Sequence, residues 1–263
     1  MNLDLSGRTA LVCGSSSGIG RACAMELAAL GASCVLLARD AEKLRAVQGD
    51  LESSRGQKHA VLSADLADPG AARSAVAAWL AQSGATIHIV VNNTGGPPAG
   101  SALDASPDAL LAAFQSQLLA AQAIAQLVVP GMKAARFGRI INITSTSVKA
   151  PIPNLGISNI VRPAVAAWAK CLATELGPNG ITVNNVLPGY TRTERLASLF
   201  RGRAAKQGVT EEAVEAEIIA STPARRLGEA AEIAAAVAFL ASPAAGYVNG
   251  INLPVDGGRL GTL

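Results

Sequence analysis

Aromatic residues are scarce in this chain: two tryptophans, two tyrosines and four phenylalanines among 263 residues. Base stacking has almost nothing to work with, and the lysines and arginines are scattered rather than gathered into a run. No nucleic-acid surface is therefore expected. Histidine occurs only as His59 and His88. Each lies on or beside a strand-like run, away from any motif, and both read as structural. No set of His, Cys, Asp and Glu has metal-ligand spacing, so no catalytic metal is expected. The four cysteines, Cys13, Cys23, Cys34 and Cys171, form no CxxC pair. Their apolar or small neighbours point to buried, reduced, structural thiols. The opening "MNLDLSGRTALV" has no basic segment ahead of an apolar one, so it does not read as a signal peptide. No apolar run reads as long enough to span a bilayer. A soluble, cytoplasmic protein with no membrane partner is the expectation. Charge is sparse too: 16% of residues are charged and the net charge is +3, which suits an anionic ligand only weakly.

Apolar residues are plentiful by contrast. They make up half of the chain, enough for one large domain with a buried core. Short β-rich runs at 9–13, 33–38, 58–64, 87–92, 138–144, 181–188 and 250–255 alternate with longer alanine-rich segments. One of these, "IGRACAMELAALG" (19–31), puts Ala22, Met25, Ala29 and Leu30 on one helical side and stops at Gly31. Continuous apolar strands separated by helices imply a parallel sheet covered on both faces. The expected fold is α/β: a doubly wound, Rossmann-type parallel sheet of about seven strands in a single domain over residues 1–263. Residues 191–227 interrupt the alternation with a charged, helix-prone excursion. It reads either as a lid over a substrate or as a solvated decoration.

The turn after the first strand is "CGSSSGIG" (13–20). Gly14 permits a tight turn, Gly18 admits a pyrophosphate to the backbone, and Gly20 lets the following helix pack against the sheet. Ser16, Ser17 and Ile19 complete a phosphate cradle at a helix N-terminus, where free N–H groups and the helix dipole favour an anion. The second strand ends "LLARD". Ala38 stands where an NAD-type carboxylate is expected, and Arg39 is within reach of a 2′-phosphate. NADP (NADPH) is favoured over NAD, with Arg39 as a simple strand-end cap the alternative.

With these motifs in order, the chain resembles the short-chain dehydrogenase/reductase family, of the 3-oxoacyl-carrier-protein reductase type, along nearly its whole length. "CGSSSGIG" resembles the family's TGxxxGIG, with Cys13 in place of Thr. "ADL" (64–66) resembles the segment after the third strand; the resemblance implies that Asp65, with Leu66, contacts the adenine. "NNTG" (92–95) resembles NNAG, implying that Asn92, Asn93 and Gly95 support the strand beside the cofactor. "LPGYTRT" (187–193) resembles the stretch that closes over the nicotinamide, bringing in Pro188, Gly189, Thr191 and Thr193. "YVNGINLPVDGG" (247–258) resembles the family's C-terminal strand and turn. The resemblance further implies a homotetramer or homodimer acting on a small-molecule carbonyl or alcohol, possibly 3-oxoacyl-like.

Hydride transfer to a carbonyl builds negative charge on oxygen, which a proton and hydrogen-bond donors must meet. The family uses Asn, Ser, Tyr and Lys. Here Ser145 stands at the serine position. Thirteen residues on, the tyrosine position holds Ser158; four beyond that, the lysine position holds Arg162. The asparagine position holds Gln117, and no YxxxK occurs anywhere. A serine hydroxyl is a poor acid beside a phenol, and Arg cannot relay protons as Lys can. Arg162 can still hydrogen-bond the nicotinamide ribose, and Pro163 directly after it perturbs the helix locally. Three readings stay open. A relocated acid restores reduction, with Tyr190 preferred over Lys149. Alternatively the substrate, such as a protonated imine, needs little acid. Or the chain binds NADP with little or no catalysis. "NNTGGPPAGSALD" (92–104) is expected to line the pocket beside the nicotinamide, or else to be a stiff surface loop.

Overall fold

The computed structural model describes residues 1–262. Seven strands form one parallel sheet: β1 (Thr9–Cys13), β2 (Ser33–Ala38), β3 (Ala60–Ser63), β4 (Ile89–Asn92), β5 (Gly138–Ile143), β6 (Ile181–Pro188) and β7 (Asn252–Val255). Their spatial order is β3-β2-β1-β4-β5-β6-β7. Each run read as a strand from sequence contains its observed strand, trimmed by up to two residues at an end. The single doubly wound sheet is as expected.

The helices alternate with the strands because the sequence supplies starts and stops. α1 (Gly18–Ala29) grows from the glycine turn. α2 (Ala41–Gly49) begins where the Asp40 carboxylate accepts the Lys43 N–H at 3.0 Å. α3 (Pro69–Ser83) begins where Asp68 accepts from Ala71 at 2.9 Å, with proline in the first turn. α4 (Pro107–Phe114) passes through a π-helical turn, Gln115–Leu119, into α5 (Ala120–Ala135). α6 (Gly156–Leu176) runs unbroken through Pro163. Pro163 lacks the N–H that would reach the Asn159 carbonyl, and the perturbation expected there leaves the helix intact. α7 (Glu194–Gln207), α8 (Glu211–Ser221) and α9 (Ala230–Ala241) follow.

Alternate residues of each strand enter opposite layers of core. Val12, Leu36, Val91, Ile141 and Val186 pack beneath Leu27 of α1 and Val237 and Leu240 of α9. Leu11, Val35, Val90, Ile140 and Val183 pack beneath Val76, Ile124, Val128, Met132 and Ala169. Burying each such aliphatic side chain contributes about 1.5–3 kcal/mol. Both layers are needed because the five inner strands, β1, β2, β4, β5 and β6, are buried on two faces.

The excursion at 191–227 is a helical hairpin with a small core of its own: Leu196, Phe200 and Ala204 of α7 against Val214 and Ile218 of α8, with Leu227. Its base is pinned. Arg192 N–H donates to Gly228 O at 2.8 Å and Gly228 N–H to Tyr190 O at 2.9 Å.

Two expectations are corrected here. Cys171 is exposed on the outer side of α6, whereas Cys13, Cys23 and Cys34 are buried. Its apolar sequence neighbours face inward while it faces out, because helical rotation, not local hydrophobicity, sets the side. Second, the continuous helix Pro107–Ala135 is long and apolar enough by length and composition to cross a membrane (mean hydropathy 1.3), although no apolar run was read as spanning. In the fold its Ile124, Ala125, Val128 and Met132 belong to the sheet core. The histidines sit as structural groups. His59 Nδ1 accepts the Cys34 N–H at 3.0 Å with its Nε2 at 2.9 Å from Glu52 O, and His88 Nδ1 accepts the Thr9 N–H at 3.2 Å.

Candidate active site

The strand order reverses between β1 and β4. Crossover connections there leave the sheet in opposite directions and open a crevice at the carboxyl ends. A cleft of about 780 Å³ occupies this place. Of the residues singled out from sequence, Gly14, Ser16, Ser17, Gly18, Ile19, Arg39, Asp65, Leu66, Asn93, Gly95, Ser145, Ser158, Arg162, Pro188, Gly189, Tyr190, Thr191 and Thr193 all lie on its wall.

At one end the glycine turn leaves no room for side chains. Gly14 has φ +60°, and a Cβ there would stand 2.5 Å from Asn93 O. A Cβ on Gly20 would stand 2.2 Å from Gly14 O. Asn93 ties this turn to the exit of β4, its Nδ2 donating to Gly14 O at 3.2 Å. The bare backbone and the start of α1 together form an anion cradle. Arg39 follows β2, its side chain 79% exposed and 3.9 Å from the Asp65 carboxylate. Lys43, in the first turn of α2, faces the same space and lies 3.6 Å from Asp40. Two cations thus flank the place where a 2′-phosphate would sit.

At the other end stand the polar groups of β5, α6 and the exit of β6. Ser145 caps a short 3₁₀ turn: its Oγ accepts the Ser147 N–H at 3.1 Å, which leaves its own O–H to donate. The start of α6 is mounted firmly. Gly100 N–H donates to Asn154 O at 2.8 Å and Gly156 N–H to Gly100 O at 2.9 Å. Asn159 brackets Ile152, accepting from its N–H at 3.0 Å and donating to its carbonyl at 2.8 Å. This mounting presents Ser158 and Arg162, both buried. Arg162 Nη1 donates to Ile143 O at 2.5 Å, while its Nε has no partner. Burial, and then the charge of Arg195, pull this guanidinium down to about 10, so it stays charged at neutral pH.

Tyr190 enters the cleft two residues beyond β6. The guanidinium of Arg259 lies over its ring, 4.5 Å from the centroid, and Nη2 is 3.4 Å from the phenol oxygen. Arg259 Nη1 donates to Thr146 Oγ1 at 3.0 Å, which ties the C-terminal turn to the residue after Ser145. The second tyrosine, Tyr247, is fully exposed and off the cleft wall. Lys149 is exposed and does not line the cleft.

Three of the residues singled out from sequence are absent from the cleft wall. Gln117 is buried in the π-helical turn and does not reach the cleft. It borders a separate hollow of about 10 Å³ shared with Asn92 and Asn93, with its Oε1 unpartnered. Asn92 also lies off the cleft, because its side chain donates to Asn142 Oδ1 at 2.8 Å inside the sheet. Gly20 packs close against Gly14, in keeping with the packing role its place in the turn implied. Conversely, the pattern of motifs did not point to Lys43, Arg195 or Arg259, all of which line the cleft. Arg195 donates to the Pro97 carbonyl and rests on Gly96. The 92–104 stretch therefore lines the cleft through Asn93, Thr94, Gly95 and Gly96.

The geometry agrees with what the chain is similar to. A family profile described as "Enoyl-(Acyl carrier protein) reductase" matches residues 14–259. The NADPH-dependent reductase BacG of Bacillus subtilis is 29% identical over 98% of this chain and 100% of its own length. The 3-oxoacyl-[acyl-carrier-protein] reductase FabG of Haemophilus influenzae is 35% identical over 97% of this chain and 98% of its own. Among solved structures, L-sorbose reductase from Gluconobacter frateurii, complexed with NADPH and L-sorbose, superposes with a TM-score of 0.93 at 30% identity over the whole of both chains.

Proposed function

The chain belongs to the short-chain dehydrogenase/reductase family, and from that premise we propose that it is an NADPH-dependent reductase of a small carbonyl compound, with Tyr190 as its proton donor. The observation that carries this reading is the Tyr190–Arg259 pair on the same cleft wall as Ser145 and Ser158.

The cradle fits the cofactor. Backbone at Gly14, Ser16, Ser17 and Gly18 would hold the pyrophosphate, and Arg39 with Lys43 would meet the 2′-phosphate. When bound, NADPH supplies a hydride. The Ser145 and Ser158 hydroxyls donate hydrogen bonds to the carbonyl oxygen as negative charge builds there. Tyr190 gives that oxygen its proton. The charge left on the phenol oxygen is met by Arg259, so a tyrosine–cation pair is rebuilt from β6 and the C-terminal turn. Arg162 keeps β5 and α6 in register through the Ile143 carbonyl and adds positive charge beneath the ribose side. The hairpin at 191–227 acts as a lid, since its first turn contributes Thr193, Glu194 and Arg195 to the wall.

Leu111, Leu119 and Ile160 leave large apolar side chains exposed on the α4–α6 side. We take a second copy of the chain to cover that face. Four unpaired cysteines fit a reducing, cytoplasmic compartment.

The test is a titration of NADPH against NADH, followed by NADPH oxidation with ketones, aldehydes, acetoacetyl thioesters and imines. Turnover of carbonyls that collapses in Tyr190→Phe supports the reading. Tight NADPH binding with no turnover across the panel overturns it in favour of a binding protein.

A further inference from the structure

Three guanidiniums face the reacting end of the cleft, and none has a carboxylate partner among the described residues. Arg162, Arg195 and Arg259 line it. Arg39, Arg192, Arg201, Arg203 and Arg226 all form ion pairs, but these three form none among the described residues. Their hydrogen bonds go to neutral oxygens: Arg162 to Ile143 O at 2.5 Å, Arg195 to the Pro97 carbonyl, and Arg259 to Thr146 Oγ1 at 3.0 Å and Tyr190 Oη at 3.4 Å.

The acidic residues on the wall are committed elsewhere. Asp65 lies 3.9 Å from Arg39 and Asp40 lies 3.6 Å from Lys43, at the cofactor's phosphate end, while Glu194 pairs with Arg201 at 2.7 Å. The positive charge at the reacting end is therefore uncompensated. Burying a guanidinium without a counter-charge is costly. Arg162 is only 9% exposed and its Nε is unpartnered. Arg195 is close enough to push on it, and desolvation holds the Arg195 guanidinium itself below the usual range. A single negative charge placed among them relieves both costs. The cofactor's own phosphates would be held at the other end by the glycine turn and Arg39.

We propose that the substrate is an oxo acid, a carbonyl compound bearing a carboxylate, and that Arg195 holds the carboxylate within the positive field of Arg162 and Arg259. A guanidinium offers donors in a fork that matches a carboxylate, and Arg195 uses only its contact to the Pro97 carbonyl within the fold. Ile152, Leu155 and Leu199 line the same cleft and suit a short aliphatic body. The inference rests on the reading of this cleft as a reductase site and names the class of substrate it takes.

The experiment uses the full chain. The probes are 2-, 3- and 4-oxopentanoate and their methyl esters, which differ in charge at nearly constant shape. Calorimetric titration into the chain saturated with NADP⁺, which has no hydride to give, reads binding, and oxidation of NADPH reads turnover. The expected result is that at least one acid binds more than ten times as tightly as its ester. Arg195→Gln raises the Kd of that acid about 10- to 100-fold and collapses the acid-to-ester ratio. Arg195→Lys restores part of it, and a thermal melt checks that the variants are folded. Esters that bind as well as acids, a ratio that survives Arg195→Gln, or no binding of any of the six overturns the proposal. The two readings fail separately. Turnover of ketones without preference for acids removes the oxo-acid inference and leaves the reductase. Acids that outbind esters without any turnover leave the anion site and remove the reductase.

Discussion

Asn142 donates its side-chain amide to the Asn185 carbonyl oxygen across adjacent strands, at 2.9 Å. The contact is one rung of a ladder. Asn92 donates to Asn142 at 2.8 Å and Asn185 to Asn252 at 2.9 Å, and the four residues are in register across β4, β5, β6 and β7. The ladder lies just before the strand ends that carry Asn93, Ser145 and Tyr190, and it holds those ends at fixed spacing. Asn142→Leu orphans a donor on half-buried Asn92 and an acceptor on buried Asn185. The expected cost is about 2–4 kcal/mol, read as a shift in the urea midpoint. Asn252→Leu, at the half-buried outer end, costs about 1 kcal/mol. Equal effects at the two positions would show that the ladder does not act as a chain.

Tyr190→Phe removes the phenol hydroxyl and keeps the ring beneath Arg259. General acids contribute about 10²–10⁴-fold, so kcat falls by about 100-fold or more while the NADPH Kd stays within twofold. Arg259→Met produces a smaller fall in kcat of the same kind. Steady-state kinetics with any substrate found, beside a fluorescence titration of NADPH, decide the matter. An unchanged kcat in Tyr190→Phe removes the relocated acid.

Gly20→Ala places a methyl group where the Gly14 carbonyl stands, 2.2 Å from the new Cβ. The obstacle is backbone, so α1 must shift and the cradle with it. The NADPH Kd rises about tenfold or more, because the N–H groups lose their aim, and the melting temperature drops. Normal affinity in this variant would place the pyrophosphate elsewhere.

Arg39→Ala weakens NADPH about 10- to 100-fold, the worth of a charge-assisted contact to phosphate. NADH binding changes little. The ratio of the two dissociation constants is the readout, and Lys43→Ala moves it in the same direction. A ratio unmoved in both variants returns Arg39 to a strand-end cap.

Cys171 alone reacts with a maleimide in the native protein. Cys13, Cys23 and Cys34 are pushed up to about 12 by burial and stay protonated and enclosed. The sign for stability follows. In the unfolded chain these thiols ionise near the ordinary thiol range, so above it the unfolded state binds fewer protons than the native one. Their contribution is complete below that range and is lost as pH rises toward about 12. Alkaline denaturation should therefore shift upward in a Cys13→Ala, Cys23→Ala, Cys34→Ala variant relative to its own neutral-pH stability.

The glycine turn was legible because its requirement is local. Gly14, Gly18 and Gly20 stand where the backbone itself must turn or be approached, and the alternation of apolar runs placed that turn between β1 and α1. Arg39 and Ser145 each sit within two residues of a strand end, and both line the cleft. The local placement of Gln117 and Asn92 was not legible. No pattern of residue types announces the π-helical turn that carries Gln117, and the bond from Asn92 to Asn142, fifty positions on in the chain, follows only from the order of the strands.

By itself the amino-acid sequence determined the doubly wound sheet, the glycine turn after its first strand and the absence of any YxxxK pattern, since strand period, glycine spacing and residue identity are properties of short segments. Only the tertiary structure decided which polar groups share the cleft wall with Ser145 and what charge that wall carries. Tyr190, Arg259, Arg162 and Arg195 come from four separate elements. Their side chains meet because sheet order and helix packing bring distant strand ends to one crevice, and no spacing within the chain encodes that meeting.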